Sequence, residues 1–263
     1  MRNISEKKRI VIKLGTSTLA HKTGKLNIRR MTNLVRVISD LHNSGREIIM
    51  VSSGAVGLGS GKLGLSEKPK DTKMKQAVAA IGQCELMHVY DDMFAKYSVT
   101  VGQILLTKTI INNPSHCENF MNTISTLVKM DVIPIVNEND TIAIDELELE
   151  IGENDSLSAL VAELSNADLL LILSDIDSLY DDDPRTNPNA KPIPVVEKIT
   201  PEIEAMAGGA GSKLGTGGMS TKITAAKIAT NAGIDMIIMN GNDPEKLYDL
   251  FEDKEIGTLF KAQ

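Results

Sequence analysis

Short apolar runs and helix-period apolar stripes alternate along the whole chain. Residues 9–14 (RIVIKL) are a β-branched run ending in Gly15-Thr16-Ser17-Thr18, the pattern of a buried strand that opens into a polar loop. Behind Asn27, a good capping residue, Met31, Leu34, Val35, Ile38 and Leu41 recur at helical spacing, and Gly45 supplies a stop, which predicts a helix over 27–44. Residues 47–51 read as a second strand. They run into Ser52-Ser53-Gly54-Ala55-Val56-Gly57-Leu58-Gly59, small residues that lead to a helix start. A long helical region follows at 71–96, with a break expected near Gly82, then a strand at 99–106. Asn113 and Pro114 open a helix that reaches residue 130.

The second half repeats the alternation. A strand at 131–136 ends in Asn137-Glu138-Asn139-Asp140, and 141–151 read as a hairpin. Gly152-Glu153-Asn154-Asp155 then turns the chain into a helix, whose predicted stripe is Leu157, Leu160, Val161 and Leu164. Residues 167–174 are almost continuously apolar, a strand buried on both faces, with Ser174 and Asp175 at its end. A short strand at 192–199 and a mobile Gly/Ala-rich segment at 206–212 come next. A glycine loop, 215–222, feeds a helix with Ile223, Ala226, Ala229 and Thr230 inward and Gly233 as its stop. A strand at 234–239, a helix at 244–251 and a last strand at 257–260 complete the order. Such alternation predicts a three-layer α/β/α sandwich around a central, mostly parallel sheet. No linker or internal repeat interrupts it, so 1–263 read as one domain.

Composition narrows the chemistry. The chain has 12 Met, 4 Phe, 4 Tyr and no Trp, so its core is aliphatic and Met-filled. With 28 basic against 35 acidic residues, the net charge of −7 argues against a nucleic-acid partner, as does the lack of aromatic platforms. The four histidines are scattered, without metal-binding spacing, and no metal-ligating residues are assigned. Cys84 and Cys117 share no redox spacing and are expected as buried free thiols. No run approaches the ~18 apolar residues of a membrane span, and 10–14 is too short and too polar for a signal segment, so a cytoplasmic location is expected.

The polar residues gather at strand–helix junctions. Asn154 and Asp155 sit at a helix mouth, where one of them could simply be a cap. Lys13, in an otherwise apolar strand, is costly unless it meets an anion, the alternative being an edge strand whose lysine reaches solvent. Residues 52–59 and 215–221 are small-residue loops of the kind that bring backbone N–H groups to a phosphate, although 215–221 also reads as a connector. Gly59–Gly64 spells GxGxxG, but it falls well past its strand and the acidic residue downstream, Glu85, lies in a helical pattern; a Rossmann site is rejected, and there is no P-loop. The three aspartates at 181–183 read as a solvated turn rather than a metal site. Two lysines (Lys13, Lys222), two anion loops and a carboxylate (Asp155) suit phosphoryl transfer, where catalysis is mostly positioning and electrostatics.

Residues 12–17 (IKLGTS), 52–55 (SSGA), 137–140 (NEND), 152–155 (GEND), 183–185 (DPR) and 215–222 (GTGGMSTK), in that order, resemble the amino acid kinase family, and in particular its glutamate-phosphorylating branch. Glu153 stands where that branch has an aspartate. The resemblance implies the amino acid kinase fold, with residues to about 165 as an acceptor-binding lobe and 166–263 as a nucleotide-binding lobe. It implies ATP and magnesium as cofactors and transfer of phosphate to the γ-carboxylate of L-glutamate, the first step of proline synthesis. It implies that Lys13 and Lys222 neutralise the transferring group, that Asp155 holds the lysines, and that the Gly54 N–H reaches the phosphates. Ser53, Asp140 and Asn154 would bind glutamate. Ser174, Asp175, Thr216, Gly217, Gly218, Met219, Ser220, Thr221 and Lys222 would line the nucleotide site. Separately from the resemblance, the glycines of loop 207–218 suit a segment that closes over ATP, a question the sequence alone leaves open. Proline is implied as a feedback inhibitor, the reductase that consumes the product as a partner, and a dimer or tetramer as the assembly. The chain's length leaves the PUA domain of many family members out of the expectation. Two other readings are carried: a sibling kinase acting on acetylglutamate, aspartate, carbamate or UMP, and a non-catalytic amino-acid sensor on the same fold.

Overall fold

Caps and glycine stops set several helix boundaries where the sequence places them. A computed structural model describes residues 2–21, 23, 25–107, 113–142, 154–207 and 218–263. Its elements are β1 (Arg9–Leu14), α1 (Thr16–Leu19), α2 (Ile28–Asn43), β2 (Glu47–Val51), α3 (Ala55–Lys62), α4 (Thr72–Ala95), β3 (Thr100–Leu106), α5 (Pro114–Lys129) and β4 (Val132–Glu138). These are followed by α6 (Asn154–Leu164), β5 (Leu169–Ser174), β6 (Val195–Val196), α7 (Pro201–Ala207), α8 (Met219–Asn231), β7 (Asp235–Asn240), α9 (Lys246–Phe251) and β8 (Thr258–Phe260). The Asn27 side chain accepts from the Arg30 N–H at 3.2 Å and starts α2; Asn113 does the same for α5 toward Ser115 and His116. Gly45 and Gly233 take positive φ just past helix ends.

The chain forms two compact units, Leu14–Glu148 and Met1–Lys13 with Leu149–Gln263. In the first, the strand order is β3-β4-β2 and both pairings are parallel. Helices α2, α4 and α5 pack on β2, β3 and β4, and α3 lies along α4. The expected break near Gly82 does not occur, because α4 is continuous from Thr72 to Ala95. Gly82 instead permits close packing: a Cβ there would lie 1.7 Å from the Ala55 carbonyl oxygen, and one at Gly59 would lie 2.1 Å from that of Val78. The GxGxxG letters accordingly start inside α3, not in a strand-to-helix turn.

In the second unit the order is β1-β5-β7-β8-β6. Strands β5 and β7 run parallel, as do β6 and β8, and β7 and β8 are antiparallel. Helix α6 packs on β5, α8 on β7, and α6 and α8 lie side by side. The mostly parallel α/β pairing is the one the alternation predicts. Of the predicted α6 stripe, Val161 is buried as expected, but the leucines are not its deepest positions. Leu157, Leu160 and Leu164 are only half-buried, and Asp155, Ser158, Ala159 and Ala162 face inward. Small residues win there because α8 buries Ala225, Ala226 and Ala229 as well, and two small-residue faces approach closely.

Other expectations change in detail. The polar segment after β1 forms the one-turn α1, and α7 is an unpredicted helix. The strand at 192–199 shrinks to Val195–Val196 beside Pro192 and Pro194, which donate no ladder bonds. Cys84 is exposed and Cys117 half-buried, so neither thiol is buried as expected. Asp182 and Asp183 accept bonds from Asn187 and Arg185 within their own turn. Residues 143–151 of the expected hairpin and 208–217 of the glycine-rich segments fall outside the described residues. Among the described residues, no helix is long and apolar enough to cross a membrane.

Candidate active site

Strand β1 buries every residue after Arg9, and that includes Lys13. Its Nζ lies 2.7 Å from Asp155 Oδ1, with side chains 7% and 0% exposed. Asp155 sits in the first turn of α6, and its other oxygen, Oδ2, accepts from Lys222 Nζ at 3.2 Å. Lys222 comes from the first turn of α8 and is also buried. The neighbouring Thr221 Oγ1 lies 2.8 Å from Asp155 Oδ2 and 2.9 Å from the Gly218 carbonyl. Thus Lys13 meets an anion rather than solvent, and Asp155 is the hub of a buried cluster rather than a helix cap.

The electrostatics follow from burial. Desolvation pushes the Asp155 carboxyl up, but the charges of Lys13 and Lys222, with hydrogen bonds from Lys13 and Thr221, outweigh it and hold the group below the usual carboxylate range. Two lysines and one carboxylate sum to one positive charge. Two helix N-termini, those of α6 and α8, belong to the same cluster, and each carries partial positive charge. Such a site is built for an anion.

The remaining predicted residues of this unit occupy element ends. Asn154 is the first residue of α6, half-buried beside Asp155. Ser174 closes β5, its Oγ donates to Asp175 Oδ1 at 3.2 Å, and its carbonyl accepts from the Gly241 N–H. Gly218 is the cap of α8, with Met219 and Ser220 in its first turn. Thr216 and Gly217 lie outside the described residues.

In the other unit, Ser53 and Gly54 join β2 to α3, and Gly54 takes φ +97°, a conformation open to glycine. Asp140 follows β4, the strand beside β2, so Ser53 and Asp140 leave the same edge of a parallel pair. Asp140 is half-buried, and burial first, then the Glu138 charge, raises its carboxyl to about 6. Two buried side chains of α4 brace these segments and were missed from sequence. Gln83 Oε1 accepts from Asn137 Nδ2 at 2.8 Å, and the Tyr90 hydroxyl lies 2.9 Å from Ser52 Oγ. The available signal was their spacing: Gln83 and Tyr90 share the apolar face that carries Leu86 and Phe94.

Residues 8–240 match the amino acid kinase family. The chain belongs to that family. It is similar to a glutamate 5-kinase of Clostridium perfringens, 54% identical over 99% of this chain and 97% of the relative. It is also similar to one of Listeria monocytogenes, 49% identical over 99% of this chain and 95% of the relative. Among solved structures, a carbamate kinase from Giardia lamblia bound to AMP-PNP is similar in fold, with a TM-score of 0.68 at 16% identity over 98% of this chain and 100% of the other.

For a member of the amino acid kinase family, the cluster's chemistry is direct. Two fixed ammonium groups with a fixed carboxylate between them can stabilise charge on a transferring phosphoryl group without reorganising as it develops.

Proposed function

We propose that this chain transfers the γ-phosphoryl group of ATP to the γ-carboxylate of L-glutamate, giving L-glutamyl 5-phosphate and ADP, the first step of proline synthesis. The observation that carries the proposal is the buried Lys13–Asp155–Lys222 cluster, in a chain 49–54% identical to glutamate 5-kinases over nearly its full length.

The reaction needs cations more than it needs a base. A γ-carboxylate oxygen attacks the γ-phosphorus, the bond to the β,γ-bridging oxygen breaks, and its electron pair leaves with ADP. The nucleophile is already ionised, so no proton has to be removed. Bringing two anions within ~4 Å costs roughly 1 kcal/mol per charge pair in water and about 4 at an effective dielectric near 20. Lys13 and Lys222 oppose that repulsion, and Asp155 keeps both ammonium groups in place. Gly54 offers its N–H to the phosphates. Ser53, Asp140 and Asn154 take the amino acid, while Ser174, Asp175 and the 216–222 segment take the nucleotide, with residues to about 165 serving the acceptor and 166–263 the nucleotide.

Magnesium belongs to this reading as the ion that accompanies ATP and screens its charge. Among the described residues, no group of three or more metal-ligating side chains occurs. Magnesium in such reactions is usually held by one or two carboxylates, substrate phosphates and water. The same reading includes feedback inhibition by proline, a homo-oligomer, a cytoplasmic location and a reductase that takes the labile acyl phosphate.

The test is ADP release with ATP and magnesium, offering L-glutamate, N-acetylglutamate, L-aspartate, carbamate or UMP in turn, with hydroxylamine to trap an acyl phosphate. Hydroxamate is expected with L-glutamate alone. Turnover with a different acceptor, or none, would overturn the proposal.

A further inference from the structure

Gly54 is gripped from both sides by one helix. On its C-terminal side, the backbone of α4 at Gly82 lies against the Ala55 carbonyl, so close that a Cβ at Gly82 would come within 1.7 Å of that oxygen. On its N-terminal side, α4 reaches in with Tyr90. The Tyr90 hydroxyl lies 2.9 Å from Ser52 Oγ, which in turn lies 3.4 Å from the Ser53 carbonyl oxygen. Tyr90 and Ser52 are both 0% exposed.

The three oxygens order themselves into a relay. The Ser53 carbonyl can only accept. If Ser52 spends its one proton there, Tyr90 must be the donor to Ser52. Burial holds the Tyr90 phenol well above its ordinary range despite the bond to Ser52, so it keeps its proton at any working pH. The end of the relay is the peptide bond between Ser53 and Gly54. That bond is trans, and a trans peptide is a rigid plane with its C=O and N–H on opposite sides. Holding the Ser53 oxygen therefore aims the Gly54 N–H. Such a hold is needed here because glycine at φ +97° resists rotation of the plane less than other residues do.

We propose that Tyr90 is a positioning residue for phosphoryl transfer, orienting the Gly54 N–H toward the transferring group through Ser52 and the Ser53 carbonyl. The proposal rests on the reading that Gly54 serves the phosphates. Tyr90 touches no substrate. Its effect reaches the transition state through one aimed donor, so its loss appears in kcat more than in KM.

The experiment compares Tyr90→Phe, Ser52→Ala and the double variant for kcat, for KM of both substrates and for thermal stability. Ile124→Ala on α5, buried in the same unit, controls for stability alone. Tyr90→Phe should lower kcat roughly ten-fold, less than the 10²–10³ seen when a donor is removed outright. Both KM values should stay within about two-fold. Ser52→Ala should match it, and the double variant should be no worse than either, because groups acting as one unit are not additive. Ile124→Ala should lose at least as much thermal stability with kcat nearly unchanged. A Tyr90→Phe kcat within two-fold of wild type, losses that multiply in the double variant, or kcat that simply follows stability across all four would overturn the proposal. Wild-type turnover with an acceptor other than glutamate would sink the glutamate reading alone, and the relay would be scored on that acceptor. Wild type inactive on every acceptor would sink both.

Discussion

Lys13 Nζ and Asp155 Oδ1 lie 2.7 Å apart with the carboxylate fully buried, although strand β1 and helix α6 come from distant parts of the sequence. Removing one partner of a buried ion pair leaves an uncompensated charge and costs about 3–5 kcal/mol. Here it would strand two lysines against each other. Asp155→Ala should therefore lose stability on that scale, measured by thermal or denaturant unfolding. It should also lose at least about 10² in kcat, the scale for one preorganised electrostatic group.

The depressed Asp155 carboxyl makes a pH prediction. Burial raises it, and Lys13 and Lys222 lower it further than burial raises it. A carboxyl whose folded pKa lies below its unfolded value of ~3.9 contributes stability that is fully present above that value and is lost as pH falls through the folded pKa. Wild type should thus keep the pair's contribution at pH 5–8 and lose it in strong acid. Asp155→Asn should flatten that acid limb in denaturant midpoints taken below pH 4.

Asp140 behaves in the opposite sense. Burial and Glu138 raise its carboxyl to about 6, so ionising it opposes folding, and stability attributable to this group falls as pH rises between the ordinary carboxylate range and about 6. Asp140→Asn should remove that decline and stabilise the free protein near pH 7. If the ionised form receives the acceptor's ammonium group, kcat/KM for glutamate should rise through pH 6 in wild type and lose that step in Asp140→Asn. Glutamate titrations from pH 5 to 8 check both halves.

Thr221 divides its hydroxyl between Asp155 Oδ2, at 2.8 Å, and the Gly218 carbonyl, at 2.9 Å. Valine keeps the shape but removes a donor to a buried carboxylate, a loss of about 1–3 kcal/mol. Thr221→Val should lower kcat and shift any Asp155-linked acid limb upward, whereas Thr221→Ser should keep most of the wild-type profile. A pH–rate series on the two variants tests this.

At Gly82 the obstacle is backbone, since an added Cβ would sit 1.7 Å from the Ala55 oxygen. Gly82→Ala gains helix propensity but must push α3 from α4. Overpacking of this kind costs typically 1–3 kcal/mol or more. The variant should unfold earlier and, because Ala55 adjoins Gly54, lose activity in the fraction that remains folded.

Most of the element order and the caps of α2 and α5 were legible along the chain because they depend on neighbours. Asn27 and Asn113 bond to N–H groups two or three residues on, Gly45 and Gly233 answer a local need for positive φ, and an apolar run such as 169–174 declares its own burial. The motifs near Lys13, Asp155 and Lys222 were readable for the same reason. What no local pattern contains is the identity of a partner far away in sequence. Whether Lys13 pairs with an anion or reaches solvent depends on α6 returning to β1. Whether Gly82 breaks a helix or admits another depends on Ala55. Whether α6 buries its leucines or its small residues depends on the small face of α8. Tyr90 and Gln83 are two more positions in a long helical region until the fold sets Ser52 and Asn137 beside them. Propensity and periodicity act over one or two turns, while a buried charge or hydroxyl must be satisfied by whatever the fold brings within 3 Å, and only the tertiary structure decided that.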